Sequence, residues 1–384
     1  MYDAIANARA IVPALRATTG DSERLRHVSP AAIRLLHESG LTRMLAPKRY
    51  GGYELAPRLH VLSCAETALG CPSASWIMMV CGAHTFIVGR FPRQCQDEIF
   101  GDDPGVLIPG TPSGQGSCVR HGDGWLLNGR WQFCSGVDHG KWILVGARGV
   151  VNSRGEPCPD MQLVMPAGDL EIDDTWHVLG MRGTGSKDIV AKDVFIPGHR
   201  GVPVPEAFFG TVPGVDIPLY RLPIAATLAT MLTGTILGIA ERGLGHFIEA
   251  TRVRQDIYVG GAKAAKVGLQ MRVAEATGEI EVARMLVERA CALLDEAMTH
   301  EAPMDTESRS RVRWNAAYAN ELCRRATERL YAAAGAHATY DGNEIQRFFR
   351  DINIGTHHAI LDFDQFAEVR GQLLLGIEPA YAMI

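Results

Sequence analysis

The feature that most constrains this chain is a change of texture near Pro104 that reverses near Pro223. Between those points glycine and proline are frequent, and short β-rich runs stand at Trp125–Leu127, Trp142–Val145, Gln162–Met165 and Asp193–Ile196. Asp123-Gly124 and Asn128-Gly129 read as turn signals beside them. On either side apolar residues recur at helical spacing. Ser29-Pro30 offers an N-cap and a first-turn proline, with Gly40 as the stop. Arg58–Leu69 and Ala74–Val88 continue the pattern, with Pro72 between them. Beyond about Ile224, Val273–Met298 and Arg309–Gly335 are long, amphipathic and little interrupted, as in a helix bundle. The expected division is helices over 1–103, an antiparallel β-domain over 104–222 and helices over 223–384, with neither helical set an independent module.

Composition narrows the function classes. The hydrophobic fraction of 47% and charged fraction of 21% are those of an ordinary soluble protein. A net charge of -5 without a basic cluster argues against a nucleic-acid partner. Nine cysteines with no C-x-x-C pair argue against a zinc site and a disulfide framework, and for buried thiols in a reducing cytoplasm. The first residues hold no apolar run of the secretory kind. Leu222–Ala240 is long and apolar enough to imitate a membrane span. It is rich in Thr and Gly and stands alone, so the expectation is a buried core helix and no membrane.

Two segments carry the chemistry. Gly180–Lys187, G-M-R-G-T-G-S-K, imitates a phosphate-binding loop, but its last two residues are reversed for that motif. The following residues alternate and end at Pro197, which predicts a strand where a phosphate loop needs a helix. An ATPase is therefore rejected. No G-x-G-x-x-G follows a strand either, which argues against a nicotinamide-binding Rossmann domain. Thr184 and Ser186 instead read either as hydrogen-bond partners for a flat ligand such as a flavin, or as part of a plain turn cluster. In Gly129–Gly136, G-R-W-Q-F-C-S-G, Phe133 offers an apolar face, Ser135 a hydroxyl and Gly136 a close backbone approach. The same residues also suit an ordinary half-buried strand.

Together with Trp176–Asp188, W-H-V-L-G-M-R-G-T-G-S-K-D, this strand resembles the central domain of the acyl-CoA dehydrogenase superfamily. The resemblance implies an α+β fold: an N-terminal helical domain, an antiparallel β-barrel and a C-terminal four-helix bundle, assembled as a homotetramer. It further implies flavin contacts at Thr111, Ser113, Phe133, Cys134, Ser135, Thr184 and Ser186. Arg254, with Arg252 as competitor, resembles the arginine that reaches a neighbouring subunit's flavin phosphate.

Three features are similar to the two-component flavin-dependent monooxygenase branch. Ser135-Gly136 followed by His139 looks like its S-G-x-x-H strand. Trp76 and His84 resemble its substrate-facing helix, and Arg347–His358, R-F-F-R-D-I-N-I-G-T-H-H, its C-terminal helix. That branch takes reduced flavin (FADH2 or FMNH2) from a separate NAD(P)H:flavin reductase. It inserts one oxygen from O2 into an aromatic or otherwise electron-rich small molecule through a C4a-hydroperoxyflavin. The implied roles are Ser135 near flavin N5, His84 or His358 as proton acceptor or orienting group at an ordinary imidazole pKa, and Trp76 against the substrate. Asp351 and His358 are two helical turns apart and are expected on one face, with His357 about 100° away. Arg347 is expected to pair with Asp351, and Gly355 to let the backbone approach flavin or substrate. The alternative is an acyl-CoA dehydrogenase or nitroalkane-oxidase-like enzyme. Its base would be Asp341 or Glu344 in Y-D-G-N-E-I-Q-R, where the dehydrogenase pattern has Glu in a segment one residue longer.

Overall fold

A computed structural model describes residues 2–209, 212–256 and 260–380. Short polar residues and prolines set the early helix starts: α1 (Ala4–Ala17), α2 (Thr19–Leu25), α3 (Pro30–Glu38), α4 (Pro57–Ala68), α5 (Pro72–Val88) and α6 (Arg93–Phe100). Asp3 caps α1 and Ser29 caps α3 by accepting from Ala32 N, while α3, α4 and α5 each open on proline. The later helices are α7 (Val204–Phe209), α8 (Ile224–Val253), α9 (Val267–Ala297), α10 (Thr306–Ala334), α11 (Glu344–Gly355) and α12 (Phe363–Leu374).

Between them lie β1 (Gly110–His121), β2 (Gly124–Cys134), β3 (Trp142–Ala147), β4 (Met161–Pro166), β5 (Glu171–Asp173), β6 (Lys187–Pro197) and β7 (Gly201–Pro203). They form one sheet in the order β5-β6-β2-β1-β3-β4-β7. The expected antiparallel barrel is corrected here. The β1–β3 ladder is parallel, so the sheet is mixed, and no ladder among the described residues joins β5 to β7. Asp123-Gly124 does lie at the β1–β2 hairpin, but Asn128-Gly129 sits inside β2. There the Asn128 amide brackets Asp193 across the ladder, at an irregularity of β6.

Packing follows from these elements. One apolar core joins the N-terminal helices to the C-terminal ones, and a second lies on the sheet around Trp131, whose Nε1 donates to Gly146 O at 2.7 Å. The span-like segment is α8, the one described helix long and apolar enough to cross a membrane, and its apolar window is 94% buried. Gly234 and Gly238, one turn apart, lie flat on α4: a Cβ would stand 2.3 Å from Val61 O and 2.2 Å from Ala65 O. Three threonines of α8 return their hydroxyls to the helix backbone, Thr227 to Pro223 O, Thr230 to Ala226 O and Thr233 to Thr230 O. Gly180–Lys187 leads into strand β6, as the rejection of a phosphate loop required.

Candidate active site

The β2 strand carries one extra residue against β6 between Trp131 and Cys134, and Phe133 there adopts a left-handed backbone with φ 64°. The bulge turns the Phe133 ring outward, 62% exposed and edge-on to Trp176 at 6.2 Å. These two rings, with Arg130, Gln132, Thr175, Val178, Ser186 and Asp188, line a cleft of about 360 Å³. The cleft thus offers an apolar wall beside hydroxyls and a buried carboxylate. Asp188 is held by Arg130 Nε at 2.9 Å and Thr175 Oγ1 at 3.0 Å.

Beyond the bulge a chain of hydrogen bonds runs from the helices through the sheet. Trp76 Nε1, on α5, donates to Ser135 Oγ at 3.2 Å. Ser135 Oγ and Ser186 Oγ are 2.7 Å apart, and Ser186 Oγ and Thr184 Oγ1 are also 2.7 Å apart. Thr184 Oγ1 donates to Met181 O at 2.9 Å. All four side chains are buried. Met181 is in turn held by α11, its N–H donating to Asp351 Oδ1 at 2.6 Å, while Gly180 lies against the Arg350 carbonyl. The loop that carries Thr184 and Ser186 is therefore fastened to the C-terminal helices.

One histidine shares the helix of Trp76 and another meets its ring. His84, buried on α5, shares a 2.8 Å hydrogen bond between Nδ1 and Ile108 O. A carbonyl only accepts, so Nδ1 bears the proton and Nε2 keeps the lone pair. Burial pushes its pKa down to about 4, helped by His358 nearby. His358 has its ring 6.1 Å from that of Trp76. Its Nδ1 accepts from Ile360 N–H at 3.3 Å, which leaves Nε2 as the protonated donor. His358 is exposed. The buried His84 imidazole is neutral at pH 7, a weaker base than the ordinary pKa of the sequence expectation.

Expectations about the C-terminal helix and the Cys134 side chain are corrected, and the remaining expected contacts are located. Helix α11 ends at Gly355, so the shared helix face of Asp351 and His358 does not exist. His358 reaches Trp76 instead by capping the turn Ala359–Leu361. Arg347 pairs with Glu344 at 2.9 Å and makes no ion pair with Asp351. The space beside Gly355 is taken by Ile236 and Trp76. Cys134 points into the sheet core, fully buried with its thiol pKa raised, so its side chain does not line the cleft. Thr111 Oγ1 is spent on Gln132 O at 3.0 Å, and Ser113 accepts from Gln115 at 2.8 Å. Both stand beside the bulge. Arg254 lies apart at the end of α8, donating to Ala334 O at 2.6 Å. His139 packs edge-on to His27. Sequence reasoning missed Trp176 as a wall of the cleft, although it opens the second motif, and missed Asp351 as the anchor of Met181.

The carboxylates of the alternative reading sit elsewhere. Asp341 is exposed. Glu344 is gripped by His246, Arg347 and Arg242, which hold its pKa at about 2. A carboxylate so stabilised as an anion is a poor proton acceptor.

Comparison with known proteins shows the family of the chain. The family described as "Acyl-CoA dehydrogenase, C-terminal domain" matches residues 230–363. The oxygenase subunit HsaA of a flavin-dependent monooxygenase from Rhodococcus jostii is 32% identical over 92% of this chain and 93% of its own. The oxygenase component of p-hydroxyphenylacetate 3-hydroxylase from Acinetobacter baumannii is 32% identical over 97% of this chain and 89% of its own. Among solved structures, XiaF from Streptomyces sp., in complex with FADH2 and glycerol, superposes with a TM-score of 0.93 at 28% identity, over 99% of this chain and 97% of that one.

Proposed function

The chain belongs to the oxygenase components of the two-component flavin-dependent monooxygenases, in the acyl-CoA dehydrogenase superfamily, and from that premise we propose that the Phe133–Trp176 cleft receives reduced flavin while His84 and His358 face the substrate. The enzyme is a reduced-flavin-dependent monooxygenase that places one oxygen from O2 on an aromatic or otherwise electron-rich small molecule, with the flavin supplied by a separate reductase. The observation that carries the site assignment is the Trp76–Ser135 hydrogen bond, which joins the helix bearing His84 to the strand bearing Phe133.

The residues of the cleft fit a flavin. A flat ring system needs an apolar wall and a polar edge, and here an exposed Phe at a bulge stands beside buried hydroxyls. When bound, the reduced flavin supplies the electrons that activate O2 and delivers the oxygen atom. Phe133 and Trp176 would hold its ring, and Ser135 its N5 edge. Thr111 and Ser113 would border the same edge of the sheet, and Arg254 would reach toward a phosphate of the flavin held by a neighbouring subunit. His84 Nε2, as lone-pair acceptor, would take the hydrogen bond of a phenol, orienting the ring and making it more nucleophilic. His358 Nε2–H, as donor, would hold the opposite side of the substrate. Trp76 would form the wall between flavin and substrate and shield the reacting atoms from water.

In the same reading α8, α9, α10 and α12 are the four-helix bundle, and copies assemble as a cytoplasmic homotetramer. Exposed Val267, Met271, Val282 and Met285 on α9, and Leu374, Leu375 and Ile377 at and beyond the end of α12, support apolar contacts between subunits. Light scattering on the purified chain tests the assembly.

Ser135→Ala tests the site. With reduced flavin, O2 and a phenolic substrate, the variant should consume O2 but release most of it as hydrogen peroxide. An unchanged yield of product per O2 would remove Ser135 from the flavin edge.

A further inference from the structure

The polarity of the relay through Ser135 is determined at both ends. An indole N–H only donates, and a carbonyl only accepts. Thr184 spends its single hydrogen on Met181 O. Ser186 must then donate to Thr184, and Ser135 must donate to Ser186. Trp76 donates into Ser135 from the other end, consistent with the same direction. Every hydroxyl hydrogen of the relay is consumed internally. Whatever Ser186, which lines the cleft, and Ser135 beside it present to a ligand is therefore a lone pair.

We infer that this one-way relay makes the flavin edge of the site an obligate hydrogen-bond acceptor, and that this is how the protein selects reduced over oxidised flavin. The inference rests on the assignment of Ser135 to the N5 edge. Reduced flavin carries a hydrogen on N5 and donates it to the acceptor. Oxidised flavin carries a bare lone pair on N5, which would face another lone pair in a buried place with no hydrogen between them. An unmatched buried polar contact is costly, whereas a matched one is mildly favourable. A freely rotating serine would serve both redox forms; a serine whose hydrogen is committed serves one. Thr184 and Ser186 are thus positioning residues that act through Ser135. An enzyme fed with reduced flavin by another protein then resists occupation by the oxidised form.

Equilibrium binding tests this without turnover. Affinities of the full chain for oxidised and for dithionite-reduced FMN and FAD are measured anaerobically. The wild-type protein should prefer the reduced form. Ser186→Ala removes the acceptor of the Ser135 hydrogen and Thr184→Val the acceptor of the Ser186 hydrogen, so each frees a hydroxyl hydrogen to turn toward the flavin edge. Each should narrow the preference by about tenfold, the equivalent of one hydrogen bond, and each should bind oxidised flavin more tightly than wild type does. A merely structural role would weaken both forms alike, and that result, or an unchanged ratio in both variants, overturns the inference. Ser135→Ala separates the two levels. If it leaves both affinities untouched, the N5 assignment fails and the relay falls with it. If it narrows the ratio while Ser186→Ala and Thr184→Val do not, the assignment stands and the relay alone is overturned.

Discussion

Trp76 and Ser135, 59 residues apart in the chain, meet through an indole N–H donated to a hydroxyl at 3.2 Å. One belongs to an almost fully buried helix and the other to the end of the sheet's bulged strand. In the proposed reading, their bond would join the substrate side of the site to its flavin side.

Phe133 pays in backbone strain for its outward ring. A non-glycine residue at φ 64° costs about 1 kcal/mol relative to glycine. Phe133→Gly should therefore leave thermal stability unchanged or slightly raised while weakening reduced-flavin binding about tenfold or more through the lost apolar wall. A flavin titration paired with a melting curve checks both signs. Undiminished affinity would take the ring out of the site.

The two histidines should separate by role. His84→Ala removes the lone-pair acceptor and should lower the rate of product formation by about tenfold, the equivalent of one lost hydrogen bond. His358→Ala should lower product yield more than His357→Ala, since only His358 is in ring contact with Trp76. Single-turnover oxygenation assays provide the comparison. Equal effects at 357 and 358 would remove His358 from the site.

Stability should rise with pH between about 4 and 6.5. His60 and His84 are buried with pKa values pushed down to about 4 in the fold, against 6.5 when unfolded. The unfolded chain binds more protons in that window, so stability is fully present above 6.5 and is lost as pH falls toward 4, by about 3 kcal/mol per histidine at most. Buried Asp351 works the other way. Its pKa is raised to about 6, mainly by burial, so its contribution falls as pH rises through the same window. Asp351→Asn should keep the bond from Met181 N–H and make the net acid loss steeper. Denaturant melts at pH 5 and pH 7.5 would show it, and a shallower slope in the variant would contradict the assignment.

Gly238 lies against the backbone of α4, where a Cβ would stand 2.2 Å from Ala65 O. Gly238→Ala should destabilise the protein by about 1–3 kcal/mol, the range for overpacking a filled core. Urea unfolding measures this directly. A variant as stable as wild type would mean that α8 and α4 can part freely.

How much was legible in the sequence depends on how local the signal is. Ser29-Pro30 announced a helix start because an N-cap and a first-turn proline act within one turn. The strand after Gly180–Lys187 was legible because alternation and Pro197 exclude a helix there. Leu222–Ala240 was read as buried from its Thr and Gly content, and those residues do turn inward onto their own backbone and onto α4. His358 was assigned to the site by helical spacing, and that spacing stops at Gly355. The turn that brings its ring to Trp76 depends on contacts the local pattern does not encode.

By itself, the sequence determined the order of helices and strands, the absence of a phosphate loop, and two flavin-like motifs on the central domain. Those are consequences of backbone preferences and periodicity, which act over a few residues. The tertiary structure alone decided that Ser135 meets Ser186 across 51 positions, that the relay runs one way, that His84 accepts while His358 donates, and that Glu344 is locked among cations. The direction of a hydrogen bond and the pKa of a buried group are set by which partners packing brings within about 3 Å, and residues distant in the chain carry no local mark of that meeting.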